Sequence, residues 1–302
     1  MKKTRKYLSV VLCCSGLALL VAALVLIARQ FTDDRHSQNT VNQLQDLVEA
    51  HKEENISPSS TEMPSPSPEV PIPTAEPTST PEPTPTPTEN PYRDSFLANG
   101  DMAAWLQIPD TVIDYPVMWT PGDETYYLKR GFDGLRNHNG CLILDTDSCL
   151  DPLTTNLIIH GHNMRSGAMF GTLTKYEDES YFQEHRYITL HTEECQRNYE
   201  VIAVFRSQVY KKSDTVFKFY KFFQADTQEE FDDFYKNIMA LSIYDTGVTA
   251  EYGDHFLTLS TCAYHVKQGR FVVVAKEIEK GSSYLPLQES EANTIEEQEV
   301  KK

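Results

Sequence analysis

Two apolar runs near the C-terminus carry side chains that can do chemistry. The first, Phe256-Leu257-Thr258-Leu259-Ser260-Thr261-Cys262, closes on a thiol, and Arg270 follows eight residues later, directly before Phe271-Val272-Val273-Val274-Ala275. Both runs read as strands, so the second would deliver a guanidinium beside the sulfur of the first. That pairing suits a cysteine nucleophile: the thiolate attacks a carbonyl carbon, and a fixed cation holds the oxygen that becomes negative. Arg270 is preferred to Lys267 because its planar fork is always charged and can grip an oxyanion or carbonyl through two N–H groups. A histidine is needed to move the protons. In Leu157-Ile158-Ile159-His160-Gly161-His162-Asn163-Met164, a β-branched run breaks at a glycine and presents His162 just beyond it.

Each of these residues has a plainer reading. A cysteine in an apolar strand is commonly packing, and an arginine between strands is commonly a solvated edge residue. His160 and His162 alternate along a strand, so they share a face, which is also the geometry of a metal-binding His-x-His pair. No neighbouring cysteine or carboxylate completes a ligand set in the sequence, so no metal is expected there. Of the six cysteines, Cys13 and Cys14 lie in an N-terminal apolar run, leaving Cys141, Cys149, Cys195 and Cys262. Two disulfides among these four would consume Cys262, whereas a Cys141–Cys149 bridge would spare it. Both pairings stay open, although four thiols in about 190 residues are sparse for a disulfide scaffold.

The elements that must position these groups follow from composition. Residues 7–28 are 22 positions without a charge, enough to cross a hydrocarbon core of about 30 Å at about 1.5 Å per helical residue. Lys2, Lys3, Arg5 and Lys6 precede this run, and Asp33 and Asp34 follow Arg29, so residues 1–6 are expected to be a cytoplasmic basic tail and the rest of the chain extracytoplasmic. A cleaved signal peptide would have a shorter apolar region and a small-x-small site, and the run ends Leu-Ile-Ala-Arg. Residues 29–56 are polar with a weak helical period through Val41, Leu44, Leu47 and Val48, which predicts a short juxtamembrane helix. Residues 57–91 contain 12 prolines in 35 positions, with Ser, Thr and Glu filling most of the remainder. Such a segment cannot bury a core, and extended at about 3.1 Å per residue it could span on the order of 100 Å. The glutamate-rich residues 281–302 read as a disordered tail.

The remaining stretch, 92–280, is the length of one domain with a substantial core. Candidate strands are 105–108, 113–118, 141–145, 157–160, 187–191, 199–205, 256–260 and 271–278. Their Val, Ile, Tyr and Phe content and their Asn, Gly, Asp and Pro punctuation predict a mainly β fold, a predominantly antiparallel sheet or barrel. One helix, 227–241, is announced by the Thr227-x-x-Glu230 capping box and the stripe Phe231, Phe234, Tyr235, Ile238 and Leu241. Weaker helices are expected at 92–97 and 168–176. The formal charge of −17 argues against nucleic acid as a partner.

Four spaced stretches now combine. They are Thr258-Leu259-Ser260-Thr261-Cys262; Gly161-His162-Asn163-Met164 followed by Met169-Phe170; the segment from Asp101-Met102 through Trp105-Leu106-Gln107-Ile108-Pro109 to Ile113-Asp114-Tyr115-Pro116-Val117; and the helix at 227–241 just upstream of the cysteine strand. Together, over about residues 90–278, they resemble a class B sortase, a cysteine transpeptidase of Gram-positive cell surfaces. The resemblance implies a closed eight-stranded β-barrel with added helices and assigns catalysis to His162, Cys262 and Arg270, with Asn163, Ser260 and Thr261 as substrate-binding candidates. His160 departs from the aromatic residue of many class B relatives. The implied reaction cleaves a sorting motif through a Cys262 thioester and passes the acyl group to an amine of a peptidoglycan precursor, joining a surface protein to the wall. The alternatives are a pilin-polymerising sortase that uses a lysine acceptor, or a secreted cysteine protease that hydrolyses the thioester. The expected partners are therefore sorting-motif proteins, an amine acceptor and a lipid bilayer. The chemistry requires no cofactor, and no acidic cluster in the sequence matches the calcium site of some class A relatives.

Overall fold

The computed structural model describes residues 2–56, 88–263 and 266–285. Eight strands close into a barrel in the order β1-β2-β3-β4-β7-β8-β6-β5. They are β1 (Met102–Gln107), β2 (Asp114–Met118), β3 (Leu142–Leu144), β4 (Asn156–Gly161), β5 (Tyr187–Thr192), β6 (Cys195–Gln208), β7 (Phe256–Cys262) and β8 (Gly269–Ser283). This is the barrel that the resemblance implies, and every candidate strand is present. Two pairs, β2–β3 and β4–β7, are parallel, and the other six are antiparallel. A parallel pair needs a long crossover rather than a hairpin, and the β4–β7 crossover carries β5, β6 and two α-helices.

Alternation along the strands sorts side chains into two faces. Leu142, Leu144, Leu157, Ile159, Leu257, Leu259, Phe271 and Val273 belong to the barrel interior. The opposite faces of β6, β7 and β8 are buried as well, because α4 (Gln228–Leu241) lays Phe231, Phe234 and Ile238 against Phe205, Phe256, Val272 and Val274. Cover on both sides explains why residues 271–275 of β8 are an unbroken apolar run rather than an alternating one. The expected capping box is present, with Thr227 Oγ1 accepting from Glu230 N and the Glu230 carboxylate accepting from Thr227 N.

The expected helices need two corrections. The N-terminal helix is not a span followed by a separate short helix: α1 runs unbroken over Lys2–Ile56. Its large apolar residues from Leu17 to Phe31 are exposed, while Leu44 and Val48 are buried with Tyr92, Phe96 and Trp105. Gln45 donates to Asp114 at 2.9 Å, so the second half of α1 docks on the barrel. It makes contacts that a free polar segment would lack. The helix expected at 168–176 is instead a turn followed by a 3-10 helix, Leu173–Glu177. Met169 adopts a left-handed φ of 53°, and Met164 O packs against Gly171 where a side chain would start, which excludes a continuous helix there. The helix near 92–97 is found as α2, Arg93–Ala98.

The folded unit also runs past both expected limits. β8 continues to Ser283, and Thr88 bridges Tyr284 in parallel, so residues assigned to the spacer and the tail contribute backbone pairing. A further short helix, α3, spans Glu179–Glu184. The rest of the proline-rich segment, residues 57–87, and the tail from residue 286 onward lie outside the described residues.

Candidate active site

The outer face of four adjacent strands builds a cleft of about 580 Å³. In β3 and its flanks the outward positions are Cys141, Ile143 and Asp145. In β4 and its extension they are His160 and His162, in β7 Ser260 and Cys262, and in β8 Arg270; all of these line the cleft. Leu142, Leu144, Ile159 and Leu259, in between, point into the barrel core. Register sets the adjacency. Cys262 and Arg270 are direct antiparallel partners, so their Cα atoms lie about 4.5–5.5 Å apart. Gly161 pairs with Thr261 in the parallel β4–β7 ladder, which places His162, the next residue, one strand spacing from Cys262.

Two side-chain hydrogen bonds pin the ends of these strands together. Asn163 Nδ2 donates to the Cys262 carbonyl at 2.7 Å, and Thr261 Oγ1 donates to the Gly161 carbonyl at 2.8 Å. Each contributes on the order of 1 kcal/mol. Both also fix the backbone that carries the thiol relative to the backbone that carries the imidazole. Asn163 and Thr261, expected to contact substrate, thus use their polar groups on the protein itself. Ser260, 1% exposed, lines the cleft, and its hydroxyl has no partner among the described residues.

His162 Nε2 lies 2.8 Å from the Leu128 carbonyl, which can only accept, so Nε2 carries a proton in this contact. Leu128 belongs to the 3-10 turn Tyr126–Lys129 in the β2–β3 crossover. Arg270 Nη1 donates to the Gly269 carbonyl at 3.1 Å, anchoring the guanidinium at the cleft rim.

All four outer cysteines are free, so neither disulfide pairing forms. The two thiols in the cleft differ. Cys262 is half-buried, whereas Cys141 is buried and donates to the Arg130 carbonyl at 3.4 Å. Burial, with the nearby Asp133 charge, pushes the Cys141 thiol up to about 12. At pH 8 its thiolate fraction is therefore about 10³-fold below that of an unfolded cysteine. Alkylation of the folded chain at pH 8, mapped by mass spectrometry, is expected to modify Cys262 and spare Cys141 until denaturant is added. Because the folded thiol is raised above its unfolded value, its contribution to stability is complete below about pH 9 and is lost as pH climbs toward about 12.

Gly161 is required by space. A Cβ there would lie 2.6 Å from both Leu142 Cδ2 and Phe170 Cδ2. Gly161→Ala is expected to cost about 1–3 kcal/mol by overpacking and to shift His162. A melting temperature and turnover both within error of the parent would contradict that account.

One site residue overturns a sequence expectation. His160 does have carboxylates beside it: its Nε2 is 3.1 Å from Asp145 Oδ2, and Glu124 joins them. Asp145 and Glu124 come from other parts of the chain, which is why no spacing revealed them. The alternation Cys141, Ile143, Asp145 was the available signal.

A sequence profile described as the sortase domain matches residues 106–278, more than half of the chain and all eight strands in whole or part. The chain belongs to the sortase family. It is a cysteine transpeptidase by that membership. Sortase B of Listeria monocytogenes is 32% identical over 192 residues, covering 62% of this sortase and 74% of the relative. The X-ray structure of Clostridium perfringens sortase B superposes with a TM-score of 0.55 at 27% identity, covering 62% of this chain and 99% of that one. A Staphylococcus aureus sortase B–substrate complex shares the fold at TM-score 0.63 and 20% identity, covering 83% and 99%.

Proposed function

We propose that this sortase is a class B enzyme of a Gram-positive surface, held in the membrane by the apolar half of α1 with its N-terminus cytoplasmic and its barrel outside. The helix α4 before the cysteine strand and the likeness to sortase B proteins favour the class. The exposed apolar residues of α1 and its length and composition favour the anchor. The basic start and acidic sequel favour the orientation, and the proline-rich residues 57–91 would act as a spacer.

In the proposed reaction, the Cys262 thiolate attacks the scissile carbonyl carbon of a sorting motif. The carbonyl oxygen becomes an oxyanion held by the Arg270 guanidinium. As the C–N bond breaks, His162 as imidazolium gives a proton to the departing amine, leaving a Cys262 thioester. An acceptor amine then loses a proton to neutral His162 and attacks the thioester carbon; the C–S bond breaks and a new amide forms. The amine would come from a peptidoglycan precursor, with a pilin lysine as the alternative acceptor. The S. aureus sortase B solved with a substrate supports substrate binding on this fold. The observation that carries the reading is the convergence of Cys262, Arg270 and His162 from three neighbouring strands into one cleft.

The test is to incubate the full chain in detergent with sorting-motif peptides and a short amino nucleophile, following products by mass spectrometry. A Cys262 thioester that partitions to the amide product in proportion to added amine is the expected result. Hydrolysis indifferent to amine would replace this reading with that of a cysteine protease.

A further inference from the structure

The wall of the cleft opposite Arg270 contains a second group of reactive side chains that the proposed reaction does not use. Glu124, Asp145 and His160 each offer one ligand atom, and all three atoms lie within 4.8 Å of one another. They arrive from separate places: Glu124 from the β2–β3 crossover, Asp145 from the end of β3, and His160 from β4. We propose that these three residues form a binding site for a divalent transition cation of the zinc class.

The spacing fits. Two ligands bonded to one metal at about 2.0–2.2 Å with angles between octahedral and tetrahedral lie about 3.0–3.5 Å apart, and His160 Nε2 is 3.1 Å from Asp145 Oδ2. The Asp145 carboxylate is already oriented, because its other oxygen accepts from the Asp147 backbone N–H at 3.1 Å. Outer hydrogen bonds of this kind hold metal ligands in place. One imidazole and two carboxylates favour zinc, cobalt, nickel or manganese over calcium, which prefers oxygen alone. Three protein ligands leave coordination positions open toward the cleft.

Ser260 is an independent pointer. It is the register partner of His160 in the β4–β7 ladder and is 1% exposed. Its hydroxyl has no hydrogen-bond partner among the described residues, although Ser260 lines the same cleft. A buried hydroxyl without a partner is costly, and a cation carrying water would supply one. The site also lies close to the nucleophile, since Ser260 and Cys262 are two residues, about 6.6 Å, apart on one strand. A bound cation would offset the negative charge of Glu124, Asp145 and Asp147 in a cleft whose other walls carry Lys221 and Arg270.

The test uses the full chain in detergent with Cys262→Ser, which removes the competing thiolate. Zinc is titrated by calorimetry and cobalt by its visible d–d absorption. One equivalent should bind, with affinity lowered at least about 10-fold in both Glu124→Gln and His160→Gln. Glu124 is exposed, so its variant keeps the fold, and Asp145→Asn is read only alongside its melting curve. Three results would overturn the site: no binding at millimolar metal, unchanged affinity in Glu124→Gln and His160→Gln, or loss of binding on His162→Gln alone. So would a chain that binds no metal but whose Glu124→Gln form needs more amine acceptor, because the cluster would then be an ammonium site. Metal binding is read without turnover, so the outcome is separate from the fate of the transpeptidase reading.

Discussion

Cys262→Ala is expected to lower turnover of a sorting-motif peptide by about 10⁵-fold or more and to eliminate the acyl-enzyme adduct. The reason is chemical rather than structural. The thiol sits at the last position of β7, half-buried on the cleft side, and its side chain belongs to none of the buried apolar clusters. Its backbone carbonyl still accepts from Asn163 in the variant, and the strand still pairs with β4 and β8. The melting curve should therefore stay within about 1 kcal/mol of the parent, the ordinary range for a change outside the core. Turnover within 100-fold of the parent, in a folded variant, would show that the acyl group is carried elsewhere. Cys141, the other thiol in the cleft, is a poor substitute because burial keeps it protonated.

Arg270→Lys is expected to reduce kcat by about 10²–10³-fold, the usual effect of removing one oxyanion donor, with KM changed far less. The charge is retained in this variant, so the loss isolates geometry. The guanidinium is a rigid fork whose Nη1 is tethered to the Gly269 carbonyl at 3.1 Å, and its strand position faces Cys262 directly. An ammonium on a flexible stem can neutralise the oxyanion but cannot hold the same two-point grip. A defect confined to kcat marks an interaction made only in the transition state. If steady-state kinetics gave a raised KM with kcat intact, Arg270 would be a substrate clamp and the oxyanion role would be lost.

Much of the barrel was legible because its residues obey simple periodicities. The eight strands appeared as short β-branched and aromatic runs between turn residues. α4 appeared as a capping box followed by an apolar stripe, and it folds with both capping bonds made. The misread segments share one cause: contacts invisible to local pattern. The second half of α1 looked like a weakly periodic polar segment, yet Leu44, Val48 and Gln45 find partners on the barrel and α2. The 168–176 stretch had helical composition, but the left-handed backbone at Met169 and the close approach at Gly171 turn it away from a helix. The tail began later than composition implied because Tyr284 pairs with Thr88, a residue nearly two hundred positions earlier.

By itself, the sequence determined which chemistry was available, and alternation put His160 and His162 on one face of their strand. It also determined that the chain carries a long apolar segment ahead of a proline-rich stretch. Only the tertiary structure decided that β4 and β7, almost a hundred residues apart, lie side by side in parallel, and that β3 brings Asp145 to His160. Strand order in a closed barrel is set by how all eight strands bury their inner faces together. That is a property of the whole core, and no local stretch of residues encodes it.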